Sequence, residues 1–339
     1  MRNVQRAALL ASAISVLLAP EAMAQQGAPV QNAEWEVPYG GRPRDPFVHQ
    51  DGTVFFAGQA GNYVGRLDPR TGEFRKYEID PGTNPHTVVV GPDSMVWFAG
   101  NRNAMIGRLN PRTGEIRRYP MTDSTVRDPH TMVFDKDGNI WFTAQNSHTV
   151  GHLNVRTGAI RYVKTGTPRS GPYGIQLNSR GEVWVNLFHT NKIAKIDPRT
   201  YELTTYELPH ERARGRRIAI TPDDVVWYTD YTRGMLGRVD PTTGRITEIP
   251  LPGGPASLPY GMGSDEKGRI WVTESGRNGA ILQGFDPRTN TFFGRTLIGK
   301  EDNNTIRHMY FDAKTGLLWF GTDQGFIGRA EVSASRVAM

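Results

Sequence analysis

The sequence predicts an all-β chain closed into a single seven-bladed β-propeller, four antiparallel strands per blade, with an N-terminal strand completing the last blade. Three observations carry this. One phrase recurs six times: LDPRTGEF from Leu67, LNPRTGEI from Leu109, LNVRTGAI from Leu153, IDPRTYEL from Ile196, VDPTTGRI from Val239 and FDPRTNTF from Phe285. An aromatic anchor recurs at Phe55, Trp97, Trp141, Trp184, Trp227, Trp271 and Trp319, at spacings of 42, 44, 43, 43, 44 and 48 residues. That is the period of a propeller blade. Helical periodicity is absent, and the apolar runs are short, rich in β-branched and aromatic residues, and bounded by Gly, Pro, Asn or Asp.

From the N-terminus, Arg2 and Arg6 precede an apolar stretch, Ala7 to Ala19, and then Ala22-Met23-Ala24. This is the pattern of a secretory signal peptide over 1–24, cleaved near Ala24. The stretch is too short to span a bilayer and no second one follows, so no membrane span is expected. A short linker over 25–32 leads to Ala33-Glu34-Trp35-Glu36-Val37-Pro38. That segment reads like the outer strands Glu73 to Ile79 and Glu115 to Pro120. The seventh repeat lacks both the recurring turn and a clear fourth strand, so the N-terminal strand is expected to supply it and pair the open edge. The propeller then covers 33–330, and 331–339 is a tail.

Within each repeat the elements follow from local chemistry. In the second, His86 to Val90, Met95 to Gly100, Met105 to Leu109 and Glu115 to Pro120 form the four strands. Asp-Pro-Arg-Thr-Gly is a hairpin turn, in which proline sets φ and glycine accepts positive φ. The tryptophans recur in every blade after the first and are therefore expected in the core.

Composition narrows function. There are no cysteines, so an oxidising compartment has no thiols to join and the core alone must stabilise the fold. A periplasmic or secreted location is expected. Removing the leader takes the net charge from +6 to +5. The arginines fall on repeated strand positions instead of one face, which argues against nucleic acid. A monomer acting on a small molecule, anionic or polar in character, fits best.

In a propeller, the first strand of each blade lines the central channel. Its start lies at the same mouth as the end of the second strand. The residue eleven before each anchor should therefore form a ring: Arg44, His86, His130, Tyr173, Arg216, Tyr260 and His308. Residues three to five after the anchors add Asn101, Gln145, Asn146, His189, Asp230, Tyr231, Glu274 and Asp323. Histidine titrates near neutrality and serves as base, acid or metal ligand. Adjacent repeats carry His86 and His130, both as Pro-His-Thr, and Asp128 stands two residues before His130. A water-filled channel would also be polar, but it has no need of His, Tyr and Arg together. Other templates fail: there is no Gly-x-Ser-x-Gly, phosphate-binding loop or His-Glu-x-x-His. Lys136-Asp137-Gly138-Asn139 reads as a two-strand turn, and His148, His152 and His210 as surface residues.

The run PHTMVFDKDGNIWFTAQNSHTVGHL from Pro129, and PYGMGSDEKGRIWVTESGRNGAIL from Pro259, resemble the virginiamycin B lyase family over residues 34 to 330. The resemblance implies opening of an ester ring by elimination with a bound magnesium ion: a base removes the proton α to the carbonyl and the carboxylate leaves. By resemblance, His130 would be the base or its relay. His86 and Asp128 would hold or orient the magnesium, and Tyr173 would contact substrate. The chain departs from the family pattern in three ways. The matching blades are the second to fourth, Asp128 replaces a glutamate, and Gln145 stands where a second acid belongs. Arg44 and Arg216, with Tyr260, His308 and Gln145, are further expected substrate contacts, and the two arginines favour an acidic or polar molecule.

The leading expectation is thus a secreted lyase-like enzyme acting at the central mouth. One alternative is a non-catalytic periplasmic binding or scaffold propeller. The other is a metal-dependent lactonase, which requires Asp230, Glu274 and Asp323 to converge on one cation.

Overall fold

The computed structural model describes residues 27–276, 279–299 and 304–333. The leader expected over 1–24 lies outside them. Seven four-stranded antiparallel sheets form the blades, the first six ordered from the channel outward as the chain runs. In the second blade these are Pro85–Val90, Val96–Gly100, Met105–Leu109 and Ile116–Pro120. The only helical turn among the described residues is the 3₁₀ turn Gly254–Ala256. No helix among them is long and apolar enough to cross a membrane.

The ring closes as the sequence predicts. Asn32–Glu36 pairs antiparallel with Phe326–Glu331, making the outer strand of the seventh blade. Trp35 stacks on the anchor Trp319 at 5.9 Å between centroids. Residues just ahead of this strand are also docked: the Val30 amide donates to Thr296 Oγ1 at 2.8 Å, and its side chain is buried against the sixth blade with Trp271 and Phe293.

Buried apolar residues gather between neighbouring blades, one cluster per interface, so the core is itself a ring. All six tryptophan anchors are buried within it. The Asp-Pro-Arg-Thr-Gly phrase is the turn between third and fourth strands. The fifth residue's amide donates to the first residue's carbonyl, as from Gly72 to Asp68 and Gly114 to Asn110 at 2.8 Å. That fifth residue has positive φ in all six copies, including Tyr201 and Asn290, which explains why glycine fills the other four.

A second repeated glycine has a packing reason. The residue after the anchor, Phe56, Phe98, Phe142 or Tyr228, lays its ring over the partner glycine on the third strand: Gly65, Gly107, Gly151 or Gly237. A Cβ there would collide with the ring. In the fourth blade the ring is replaced by Val185 and the glycine by Ala194. Volume is conserved across the pair.

Gly151→Ala should therefore cost about 1–3 kcal/mol through overpacking, read as a lowered urea midpoint. Ala194→Gly, with no ring to receive, should cost only about 0.5–1 kcal/mol. Equal losses at the two positions would refute the ring-over-glycine account.

Candidate functional site

The channel is built by a bulge repeated in all seven innermost strands. In the second blade Pro85 pairs with Gly100 and Val88 with Phe98, leaving His86 and Thr87 between them out of step. Such bulges re-aim side chains, and here each delivers two consecutive residues to the channel. The first tier holds Arg44, His86, His130, Tyr173, Arg216 and Tyr260, as counting from the anchors predicts. The second tier holds Asp45, Thr87, Thr131, Gly174, Arg217 and Gly261. Strict alternation along a strand hides this second set, and only the polar dipeptides at the bulge hint at it.

The seventh blade corrects the count. Trp319 pairs with Tyr310, nine residues back, whereas Trp97 pairs with Val89, eight back. The added residue makes Arg307 the counterpart of His86 and moves His308 to the second tier, between Ile306↔Thr322 and Met309↔Phe320.

Arg217 crosses the channel. Its Nη1 donates to Thr131 Oγ1 at 3.1 Å in the third blade, and its Nε to the Arg307 carbonyl at 2.8 Å in the seventh. Its Nη2 lies 3.9 Å from Asp45 Oδ2 in the first. Gly174 and Gly261 sit where a Cβ would strike the backbone of the next blade. Asp45, buried at positive φ of 47°, is the hub. Arg44 Nε donates to it at 3.1 Å and Thr87 Oγ1 at 2.8 Å, and His86 Nδ1 lies 3.9 Å away. Burial alone would raise its pKa. The charges of Arg44, His308 and Arg217 and the Thr87 hydrogen bond reverse this and hold it well below the carboxylate range. A strained, buried acid of this kind persists only where its surroundings over-determine it.

On the first tier, the rings of His86, His130 and Tyr173 follow one another at 3.4 and 4.4 Å. Each histidine places Nδ1 by the hydroxyl of the next residue, Thr87 or Thr131. Burial, reinforced by the neighbouring guanidiniums, drives both pKa values well below the usual range, so both imidazoles are neutral at pH 7. His308 falls to about 4, through burial first, then Arg217 and Arg44, against the opposing pull of Asp45.

Tyr173 and Tyr260 share a hydrogen bond between hydroxyls, and Arg216 lies over the Tyr260 ring at 3.6 Å and the Tyr231 ring at 4.1 Å. Phe188, absent from the sequence-derived set, completes this aromatic box at 4.8 Å from Arg216. Burial would raise Tyr260. Arg216, Arg217, Arg44 and Arg307 overcome it and pull the phenol down to about 7. Tyr173 moves the other way, raised by burial and by Tyr260. The hydrogen-bonded pair therefore gives up its first proton well below the usual phenol range, with the guanidiniums acting most strongly on Tyr260.

Other expected site residues are held elsewhere. Asp128 receives the Asn146 and Ser147 amides and the Ser147 hydroxyl, at 2.5, 3.1 and 2.5 Å, fixing the turn after its blade's second strand. Gln145 faces His189 at 3.3 Å. Asp230 receives the Arg214 amide and pairs with Arg233; Glu274 receives the Gly253 amide and Gln283; Asp323 clamps Arg307 at 2.6 and 2.9 Å. These three acids do not converge, so the lactonase arrangement is not formed. Among the described residues, no group of three or more His, Asp or Glu could hold a metal ion. His152 is not a free surface group either: it stacks on Trp141 at 4.3 Å and bonds Asp135 and Tyr201.

The model of the virginiamycin B lyase family matches residues 82–292. The chain belongs to this family. A solved streptogramin B lyase is 25% identical, with a TM-score of 0.79, over 88% of this chain and 97% of that one. A catalytically inactive virginiamycin B lyase from Staphylococcus aureus, solved with quinupristin, is 23% identical, with a TM-score of 0.80, over 88% of this chain and 98% of the other. No curated protein matches the chain.

Magnesium, which the family resemblance implies, does not fit the residues present. The ion prefers several hard oxygen ligands. Asp128 already accepts three hydrogen bonds, and Asp45, the acid nearest His86, lies between two guanidiniums. A dication would also meet the charges of Arg44, Arg216, Arg217 and Arg307.

An ultraviolet titration should accordingly show one tyrosinate forming near pH 7, absent in Tyr260→Phe. With its folded pKa below the usual 10, this phenol stabilises the fold fully above pH 10, and that contribution is lost as pH falls through about 7. A first tyrosinate appearing only near pH 10 would refute the assignment.

Proposed function

We propose that this virginiamycin B lyase-family propeller opens an ester or lactone by elimination at its arginine-rimmed mouth, with Tyr260 taking the proton. The observation that carries this reading is the convergence of a phenol of near-neutral pKa with guanidiniums and two neutral imidazoles at one mouth. The family match supports the reaction class. A general base works best when its pKa lies near the operating pH, and Tyr260 meets this condition where His130, driven well below its usual range, does not.

The step is balanced without water. The Tyr260 phenolate takes the proton α to a carbonyl, and the electron pair becomes an enolate stabilised by the Arg216 and Arg307 guanidiniums. The enolate then re-forms its carbonyl, a Cα–Cβ double bond forms, and the Cβ–O bond breaks to release a carboxylate. Tyr173, hydrogen-bonded to Tyr260, steadies the phenolate. The neutral rings of His130 and His86 form the wall beside it and offer polar contacts to substrate.

Purified protein in EDTA, given a panel of β-acyloxy carbonyl esters and lactones that includes a streptogramin B, should yield products with a new double bond and no added water. Tyr260→Phe should lower kcat about 10²–10⁴-fold, while His130→Ala weakens KM more than kcat. A product heavier by one water identifies a hydrolase instead. Absence of turnover across the panel, with ligand binding intact, would favour the non-catalytic binding reading.

A further inference from the structure

The channel mouth holds more fixed positive charge than it neutralises. Arg44, Arg216, Arg217 and Arg307 contribute four guanidiniums, and Asp45 and Asp323 are the acids paired with them. Asp323 is taken up by Arg307 through both oxygens. Asp45 serves Arg44 through one nitrogen and Arg217 only at 3.9 Å. Arg44 and Arg217 are 4% and 2% exposed, yet Nη2 of each lacks a hydrogen-bond partner, as does Nε of Arg216. Buried donors on a charged group are costly to leave unmatched. Three arginines in one channel thus each keep an N–H for which the described residues supply no acceptor, which makes them a candidate socket for an acceptor from outside.

We propose that this socket binds an oxyanion, and that the molecule taken at the mouth carries a carboxylate seated among Arg44, Arg216 and Arg217. The planar guanidinium fork matches a carboxylate or phosphate in two hydrogen bonds at once. The aromatic box of Tyr173, Phe188, Tyr231 and Tyr260 holds the Arg216 guanidinium in place, so little side-chain freedom is lost on binding. The substrate class is then an acidic ester or lactone, a narrower set than any macrocyclic ester. The inference rests on reading this mouth as a small-molecule site but not on the elimination chemistry.

Calorimetric titration with malonate, inorganic phosphate and acetate, at fixed ionic strength in chloride, tests it. Saturable malonate binding at one site per chain is expected, with acetate weaker; phosphate binding as tightly as malonate would show a general oxyanion socket and still support the proposal. Arg216→Gln, at a partly buried position that leaves Asp45 and its partners intact, should weaken malonate about 10- to 100-fold. Arg44→Gln should do the same, with thermal unfolding checking that it folds. Binding unchanged in Arg216→Gln, or no saturable binding of any of the three anions, would overturn the proposal. The two readings fail separately. Malonate binding without turnover removes the elimination chemistry alone, and turnover of neutral esters that malonate does not inhibit removes the oxyanion socket alone.

Discussion

Arg217 is the constraint on which the channel depends. Seven blades closing a ring leave a hole on the axis, and that hole must be filled with water or side chains. A guanidinium from the fifth blade spans it to touch the third, the seventh and, across 3.9 Å, the first. Placing that charge inside dictates its neighbours. Asp45 must be buried opposite it, Thr87 and Thr131 must offer hydroxyls, and the positions at Gly174 and Gly261 must stay small for the inner strands to approach. The histidines beside it are driven to the neutral form first by burial and then by the same guanidinium charges that lower Tyr260.

The crossing also divides the channel. Beyond the second tier, toward the far ends of the inner strands, opens a cavity of about 410 Å³ lined largely by apolar residues such as Phe47, Met132, Phe134 and Tyr310, with Thr131 and His308 near its floor. His308 is its one imidazole, and that group falls to about 4. The apolar cavity and the cluster of titratable groups lie on opposite sides of Arg217. Convergent polar groups with perturbed pKa values are the stronger guide to function, which places the weight on the tyrosine and arginine side.

Much of the fold was legible because its signals repeat. The anchors fixed blade number, the Asp-Pro-Arg-Thr-Gly turn fixed strand order, and Trp35 in a strand-like segment indicated how the ring closes. Of the channel lining, only the first tier was legible. Asp45 and Arg217 were invisible to a reading that takes alternate residues as facing alternate ways, since the bulge overrides that rule. Arg307 was displaced by the single extra residue between Trp319 and its partner Tyr310. Asp128 misled for another reason: two residues before a histidine is close in sequence, but its carboxylate turns back to the amides of Asn146 and Ser147. Local spacing says nothing about which nearby backbone donors compete for an acid.

The electrostatic balance ties these points to chemistry. An elimination through an enolate needs positive charge near the developing oxygen and a base that is not itself neutralised by that charge. A carboxylate base among four guanidiniums would be too weak, as Asp45 shows by its depressed pKa. A phenol begins near 10, so the same field brings it to the useful range instead of past it. Tyrosine is thus the side chain that a guanidinium-rich site can convert into a working base. Histidine, starting near 6.5, is pushed too low. On the proposed reading, the channel arginines and the placement of Tyr260 among them work together: fixed cations supply the electrophile, and a base with a high starting pKa tolerates them.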